Sequence, residues 1–412
     1  VSNGFDVQQA AVVGAGTMGR GIVISLASAG IPVLWLDSNA KMVTAGRKVA
    51  ADTWAQQVVK GRISEAQAEE NLARVQAVDS YAALADVDLV IEAVYENLEL
   101  KQSIFSVLDN TLKPGAILAS NTSALDIDAI AAVTSRPDHV LGLHFFSPAH
   151  IMKLLEVVRG AHTAPAVLDA ALALGKRLGK VAVVAGNCHG FIGNRMLKTY
   201  VDEARKMLLE GALPRQVDGA LQAFGFAMGP FRMYDVVGID LEWRARQLAG
   251  QGMDSPLVQI DNALCDLGRF GQKSGRGFYC YAEGSREALH DAEVDALVEE
   301  IAKGLGLRRR VISDQEIIER CLLALVNEGA KILQEHIAAN SHDVDRVYLN
   351  GYGFPAAVGG PMAWADGQGL ASIQERLERL QRMLGEHWKP APLIVRLVAA
   401  GKGFADVQEG RV

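Results

Sequence analysis

AAVVGAGTMGRGIVISLASAG, residues 10–30, runs from a short β-branched segment into a helical pattern through Gly14, Gly16 and Gly19, which stand in GxGxxG register. Each glycine answers a physical need of a dinucleotide loop: a tight turn at Gly14, no side chain at Gly16 where a pyrophosphate approaches, and close helix-to-strand contact at Gly19. Thr17 and Met18 open the helix, whose unpaired N–H groups and dipole favour an anion there. Gly30 follows the helix in the position of a C-terminal cap.

Working outward, the next run, PVLWLD, ends in Asp37, 23 residues after Gly14. That is close to the ~20 expected for the carboxylate that binds an adenine ribose. An acid there bonds the 2′-hydroxyl and repels a 2′-phosphate, so NAD is favoured over NADP. VDLVIEAV, AILASN and HVLGLHFF supply further strands, and residues 17–29, 39–60, 97–112 and 126–132 read as helices. The alternation predicts a mainly parallel sheet covered on both faces. Ser64 and Gln67 have capping-box spacing and start a helix to about Arg74, so residues 39–74 read as an inserted helical arm. LLEVVRG and VAVVAG would extend the same sheet.

After Gly186 the pattern is helical only. Residues 190–210, 214–224, 235–250 and 256–267 are apolar at helical spacing and lead into FGQKSGRGFYCY, and the charged stretch 283–313 reads as a linker. The helical pattern then starts again. NRML, KMLLEG, VDGAL and FGFAMGP recur in the same order as ERCL, KILQEH, VDRVY and YGFPAAVGGP, at an offset of 125 to 131 residues. The reading is an α/β Rossmann-type nucleotide-binding domain, 1–185, followed by two tandem all-α helical domains, 186–305 and 306–412.

Bulk properties exclude several classes. Lys plus Arg number 41 against 48 Asp plus Glu, a formal charge of -7, so there is no basic footprint for nucleic acid. No apolar run reaches the ~18 residues of a membrane span. Cys188, Cys265, Cys280 and Cys321 show no metal-type spacing, and no metal is expected. The opening VSNGFDVQQ is unpatterned, which is consistent with a cut from something longer.

LHFFSPAHIMKLLEVV, residues 143–158, places one ionisable side chain in each of two apolar runs, His144 and Glu156. If the runs are neighbours, the carboxylate fixes the imidazole tautomer and stabilises the imidazolium, leaving the other ring nitrogen as a general base. A buried structural pair is the plainer alternative for these two residues taken alone.

GAGTMGRG, EAVYENLELK, SNTSAL, GLHFFSPAHIMKLLEVV, GFIGNRML and FGFAMGPF together resemble the NAD-dependent (S)-3-hydroxyacyl-CoA dehydrogenases of fatty-acid β-oxidation, over residues 12–281. YLNGYGFPAAVGGPM in the second repeat resembles the dehydrogenase half of multifunctional β-oxidation enzymes of the peroxisomal bifunctional type. The resemblance implies reversible oxidation of (3S)-3-hydroxyacyl-CoA, with His144 as base and Glu156 as its partner. It implies Ser123 and Asn194 at the substrate oxygen, Glu96 and Lys101 at the nicotinamide-side ribose, and Asn121 and Met18 lining the cofactor. Ser147 stands where many relatives carry Asn. Enoyl-CoA hydratase and thiolase partners, covalent or separate, are implied as well.

Two other functions compete. A catalytically silent dinucleotide-binding protein would lack the base or its companions, and all four are present. A dehydrogenase of small hydroxy acids would use Lys198 or Lys206, which leaves His144 and Glu156 without a task. The duplication implies a monomer with an internal pseudo-dimer, in which Glu319 replaces Asn194 and the second copy is scaffold. The tail EGRV is unlike a peroxisomal signal, and a bacterial-type cytoplasm is expected.

Overall fold

The structure, a computed structural model, describes residues 6–407, so the first five residues and the tail EGRV lie outside the described residues. It forms two compact units. Among the described residues the first takes in 6–194 and 332–352 with Val407, and the second takes in 195–331 and 353–406.

An eight-stranded sheet organises the first unit. Its strands are β1 (Ala10–Val13), β2 (Val33–Leu36), β3 (Val75–Ala77), β4 (Leu89–Glu92), β5 (Ile117–Ser120), β6 (Val140–Phe145), β7 (Leu154–Arg159) and β8 (Val181–Gly186). They lie in the order β3-β2-β1-β4-β5-β6-β7-β8. Strands β1 to β6 pair in parallel; β7 runs antiparallel to β6 and parallel to β8. Every residue of β1, β2, β4 and β5 is buried, as strands sandwiched between two helical layers must be. Sequence order reverses between β1 and β4, the place where open α/β sheets bind ligands beyond their carboxyl ends. The glycine loop leaves β1 at that end.

The helical arm contains Ala40–Val59 and Glu65–Ala73, the latter with the complete Ser64 and Gln67 capping box. It also returns a strand, β3, that the sequence reading did not include. Its three residues, Val-Gln-Ala, are too short and too polar to carry an alternation signal, and pairing with β2 supplies the order that propensity does not. At the far edge, residues 332–352 cover β8. The Gly186 N–H donates to Ile337 O at 2.7 Å, and Arg346 reaches Ala182 O at 3.4 Å. A strand edge left open would offer unpaired N–H and C=O groups for association, and this segment closes part of it. A Cβ at Gly351 would come within 2.4 Å of Leu154 Cδ2, so the covering helix, Ser341–Gly351, packs as close as glycine allows.

The second unit is helical. Buried Arg320 in the helix Asp314–Gln334 pairs with Glu203 at 2.9 Å and Glu210 at 2.6 Å in the helix Gly193–Glu210. Phe226 meets Phe354 edge-on with centroids 5.0 Å apart. CLLALV, residues 321–326, is wholly buried, as are Leu393, Ile394 and Leu397 of PLIVRLVAA, while Val395 is exposed. Glu319 is held by Arg376 and Arg379, each at 2.7 Å. Lys198 pairs with Asp202 and Lys206 with Glu203, each at 2.6 Å.

Two expectations are corrected. The linker 283–313 contains a helix, Ala292–Gly304, with Asp291 as N-cap and Val294, Val298 and Ala302 buried at four-residue spacing; its dense charge masked that stripe. The helix expected over 235–250 is broken at Gly238, φ +107°, and Ile239 N–H donates to Phe270 O instead of continuing the helix. The first unit runs to Asn194 and takes 332–352 from the second repeat, because that segment packs on the sheet edge. Among the described residues no helix is long and apolar enough to cross a membrane.

The Gly-rich tail of the first repeat is held by two buried carboxylates. Asp235 accepts the Phe278 and Tyr279 N–H groups at 2.8 and 3.0 Å and the Tyr281 hydroxyl at 2.7 Å. Asp218 accepts Phe231 N–H, Arg232 N–H and the Tyr279 hydroxyl at 3.1, 2.8 and 2.6 Å. Burial outweighs these donors and pushes the Asp218 carboxyl up to about 7. Its folded value lies above the ~3.9 of an unfolded Asp, so its stabilising contribution is full below about pH 4 and is lost as pH rises through about 7. The stability advantage of the native chain over Asp218→Asn is therefore expected to shrink between those limits. Denaturant midpoints measured across the range check this, and an advantage that grows with pH would show the donors prevailing over burial.

Candidate active site

The glycine loop is built as the motif requires. Gly14 has φ +115°, and a Cβ there would lie 2.4 Å from Ala93 O; a Cβ at Gly19 would lie 2.1 Å from Gly14 O. Both glycines are demanded by the protein's own backbone. Gly16 differs, because nothing of the protein lies within 4 Å of where its Cβ would be. It caps the helix Thr17–Ser28 without a side-chain hydrogen bond to the first turn. An open approach to uncapped N–H groups fits a pyrophosphate. Exposed Thr17 lies in that first turn, while half-buried Met18 packs against the core under the loop.

Asp37 follows β2 and is tied to the same loop. Its Oδ2 accepts Ala15 N–H and its Oδ1 accepts Asn39 N–H, both at 2.8 Å. Trp35 Nε1–H donates to Gly14 O at 2.9 Å and fixes the loop from below. The carboxylate thus stands beside the glycines, where a ribose diol would meet it.

Glu92, the last residue of β4, was not singled out in the sequence. It is fully buried and accepts Lys101 Nζ at 2.6 Å, Val94 N–H at 2.9 Å and Ser120 Oγ–H at 2.8 Å. An acid closing the apolar stretch LVIE of the run VDLVIEAV was the available signal. Lys101 is itself buried, and Glu96 Oε1 lies 3.9 Å from its Nζ. Glu96 accepts Thr122 Oγ1–H at 2.6 Å, Ser123 N–H at 2.9 Å and Ser123 Oγ–H at 3.0 Å. One carboxylate therefore ties the YENLELK loop to SNTS. Asn121 Oδ1 accepts Phe145 N–H at 2.9 Å and joins the ends of β5 and β6. Ser123 is not a helix N-cap; Asp126 caps Ile127–Ala131.

His144 on β6 lies directly opposite Glu156 on β7 in the antiparallel register, so both side chains leave the same face of the sheet. Both are buried, with Nδ1 and Oε2 3.8 Å apart. That is ion-pair range and longer than a hydrogen bond, and neither atom has a hydrogen-bond partner. Glu156 Oε1 accepts Gly193 N–H at 3.0 Å, which anchors the carboxylate at the start of the helix Gly193–Glu210. The imidazole lies against Phe146, 4.3 Å between centroids, and Phe191, 5.8 Å. In such apolar company, Glu156 is the charged group that can steady an imidazolium.

Asn194, one residue beyond Gly193, donates from Nδ2 to Ser123 O at 3.4 Å, and its Oδ1 accepts the Tyr352 hydroxyl at 2.7 Å. The first unit thereby brings together His144, Glu156, Ser123 and Asn194 with the glycine loop and Asp37. Tyr352 comes from the second repeat, and no sequence signal singled it out. A base, its orienter and neutral donors beside a dinucleotide cradle suit removal of a hydroxyl proton coupled to hydride loss.

Comparison with known proteins agrees with this geometry. The family described as 3-hydroxyacyl-CoA dehydrogenase, NAD binding domain, matches residues 9–188, and 3-hydroxyacyl-CoA dehydrogenase, C-terminal domain, matches 190–281 and 317–410. A peroxisomal bifunctional enzyme of Danio rerio is 47% identical over 96% of this chain, which covers 57% of that protein. The fatty acid oxidation complex subunit alpha of a Psychrobacter strain is 34% identical over 98% of this chain and 56% of its own length. The chain thus spans little more than half the length of these relatives. The crystal structure of 3-hydroxybutyryl-CoA dehydrogenase from Escherichia coli K12 superposes with a TM-score of 0.82 at 30% identity, covering 96% of this chain and 99% of that one. Sequence, fold and the arrangement of side chains agree: this chain belongs to the 3-hydroxyacyl-CoA dehydrogenase family.

Proposed function

We propose that the chain catalyses the reversible NAD-dependent oxidation of (3S)-3-hydroxyacyl-CoA to 3-oxoacyl-CoA in fatty-acid β-oxidation. The observation that carries the reading is the buried His144 and Glu156 pair, opposed across β6 and β7 and flanked by Asn194 and Ser123. Gly14, Gly16, Thr17, Met18, Gly19 and Asp37 would hold the adenosine diphosphate end of NAD, and Glu96, Lys101 and Asn121 its nicotinamide end. NAD, when bound, supplies the acceptor for the hydride that leaves substrate C3. His144 Nδ1 faces Glu156, so Nε2 takes the hydroxyl proton, and Glu156 stabilises the charge that His144 gains. Asn194 and Ser123 hold the substrate oxygen as it becomes a carbonyl. A positioned base contributes ~10²–10⁴ in rate, and fixed orientation contributes much of the rest.

Acetoacetyl-CoA-dependent oxidation of NADH tests the proposal. Turnover with NADH and little with NADPH is expected. NADH binding without turnover would instead favour a silent dinucleotide-binding protein.

Two relatives of nearly twice this length, one named bifunctional and one a subunit of a fatty acid oxidation complex, support an enoyl-CoA hydratase partner, joined or separate. The separate matches of 190–281 and 317–410 to one domain family support three modules, 1–185, 186–305 and 306–412. The ion pairs of Arg320 with Glu203 and Glu210 join helices of the two repeats, which supports a monomer with an internal pseudo-dimer. Light scattering on a size-exclusion peak is expected to give the mass of one chain; a stable dimer at micromolar concentration would refute it.

A further inference from the structure

Resting on the dehydrogenase reading above, we infer that Tyr352 is a positioning residue for Asn194, so that the second helical repeat completes the site at the substrate oxygen. The Asn194 amide lies between Ser123 O, 3.4 Å from Nδ2, and the Tyr352 hydroxyl, 2.7 Å from Oδ1. A peptide carbonyl only accepts, so the Nδ2 edge must face Ser123 and Oδ1 must face Tyr352, which then donates. The contact to Ser123 is long. The shorter Tyr352 bond is the one that holds the amide against a half-turn, which would present an acceptor where a donor is needed.

Tyr352 is itself fixed on three sides. It stacks on Tyr348 with centroids 4.8 Å apart and planes within 18°. Tyr348 donates its hydroxyl to Gly193 O at 3.1 Å, so the same helix that ends beside Tyr352 also grips the residue before Asn194. Phe146 meets Tyr352 edge-on at 5.6 Å and His144 at 4.3 Å, so one run of ring contacts passes from the catalytic imidazole to the phenol. A Cβ at Gly193 would lie 2.3 Å from Tyr352 Oη, and glycine there lets the phenol reach Asn194. A tyrosine kept only for packing needs its ring; this hydroxyl also donates to the Asn194 amide.

The chemistry follows from the direction of the bond. As the substrate hydroxyl loses its proton, negative charge grows on oxygen, and a fixed N–H donor stabilises it more in the transition state than in the ground state. Loss of the Tyr352 hydroxyl should therefore act on kcat more than on KM.

The test is a double-mutant cycle on the full chain. Tyr352→Phe keeps the ring and should lower kcat for acetoacetyl-CoA reduction about tenfold, with NADH affinity and melting temperature unchanged. In an Asn194→Ala background the same change should have no further effect on kcat, because the group it acts through is gone. Full activity in Tyr352→Phe, or equal losses in both backgrounds, would overturn the inference and leave the dehydrogenase reading standing. An inactive native chain that binds NADH would overturn both.

Discussion

Replacing His144 with glutamine is expected to lower kcat at least ~10²-fold while NADH affinity stays within a few-fold, because a general base contributes only in the transition state. The cradle for the nucleotide lies on the loops after β1 and β2, and His144 lies on β6, so the two functions are separable in space. Glutamine is neutral and of similar length, and the site between Phe146 and Phe191 can hold it without exposing either ring. Glu156→Gln should give a smaller loss. Its oxygen can still accept Gly193 N–H, so the start of the helix stays anchored, but the charge facing Nδ1 is gone. Steady-state kinetics with acetoacetyl-CoA and NADH give both numbers. A His144→Gln enzyme within a few-fold of the native rate would remove the histidine from the mechanism, and an unchanged rate for Glu156→Gln would make that carboxylate structural.

Glu92→Gln is expected to cost ~3–5 kcal/mol of folding stability, the range for breaking a buried ion pair from one side. Lys101 is 1% exposed, and Glu92 Oε2, 2.6 Å from its Nζ, is the nearest charge to it; Glu96 Oε1 is 3.9 Å away. With a neutral amide at position 92 the ammonium keeps the amide oxygen and the Val94 carbonyl, at 3.3 Å, as acceptors but loses the negative charge beside it. The amide must also turn one donor edge toward Val94 N–H or the Ser120 hydroxyl, both of which donate to the native carboxylate. Adding Lys101→Met should return much of the loss by removing the stranded charge. Denaturant titrations of the single and double variants measure this. A loss below ~1 kcal/mol in Glu92→Gln would mean that water or Glu96 relieves the ammonium, and that the pair does not hold β4 and the helix Leu98–Thr111 together.

Much of the site was legible because its signals are local. The glycine spacing with Asp37, and the apolar runs around His144 and Glu156, depend only on period and composition. The family resemblance then fixed Ser123, Asn194, Glu96, Lys101, Asn121 and Met18 as candidates from motifs that are contiguous in the chain. Gly14 and Gly19 proved to be demanded by the backbone's own close approaches, whereas nothing of the protein crowds Gly16. The helix hidden in residues 292–304 shows the opposite case. Its buried stripe of Val294, Val298 and Ala302 is narrow, and charge on the other faces outweighed it.

By itself the sequence determined the parallel sheet, the dinucleotide loop and the duplicated helical pattern, and it singled out His144 and Glu156 as the candidate base and orienter, since each is written in periodicity or in a short motif. Tertiary structure alone decided three things. It set His144 opposite Glu156, because antiparallel register is fixed by how β7 returns along β6. It buried Lys101 against Glu92, because β4 and the helix Leu98–Thr111 enclose the charge. And it carried Tyr352 to Asn194, 158 positions away in the chain, because residues 332–352 pack on the edge of the sheet and not with the repeat that encodes them. Contacts between distant segments depend on which surfaces remain uncovered once the sheet has formed, and no local pattern records that.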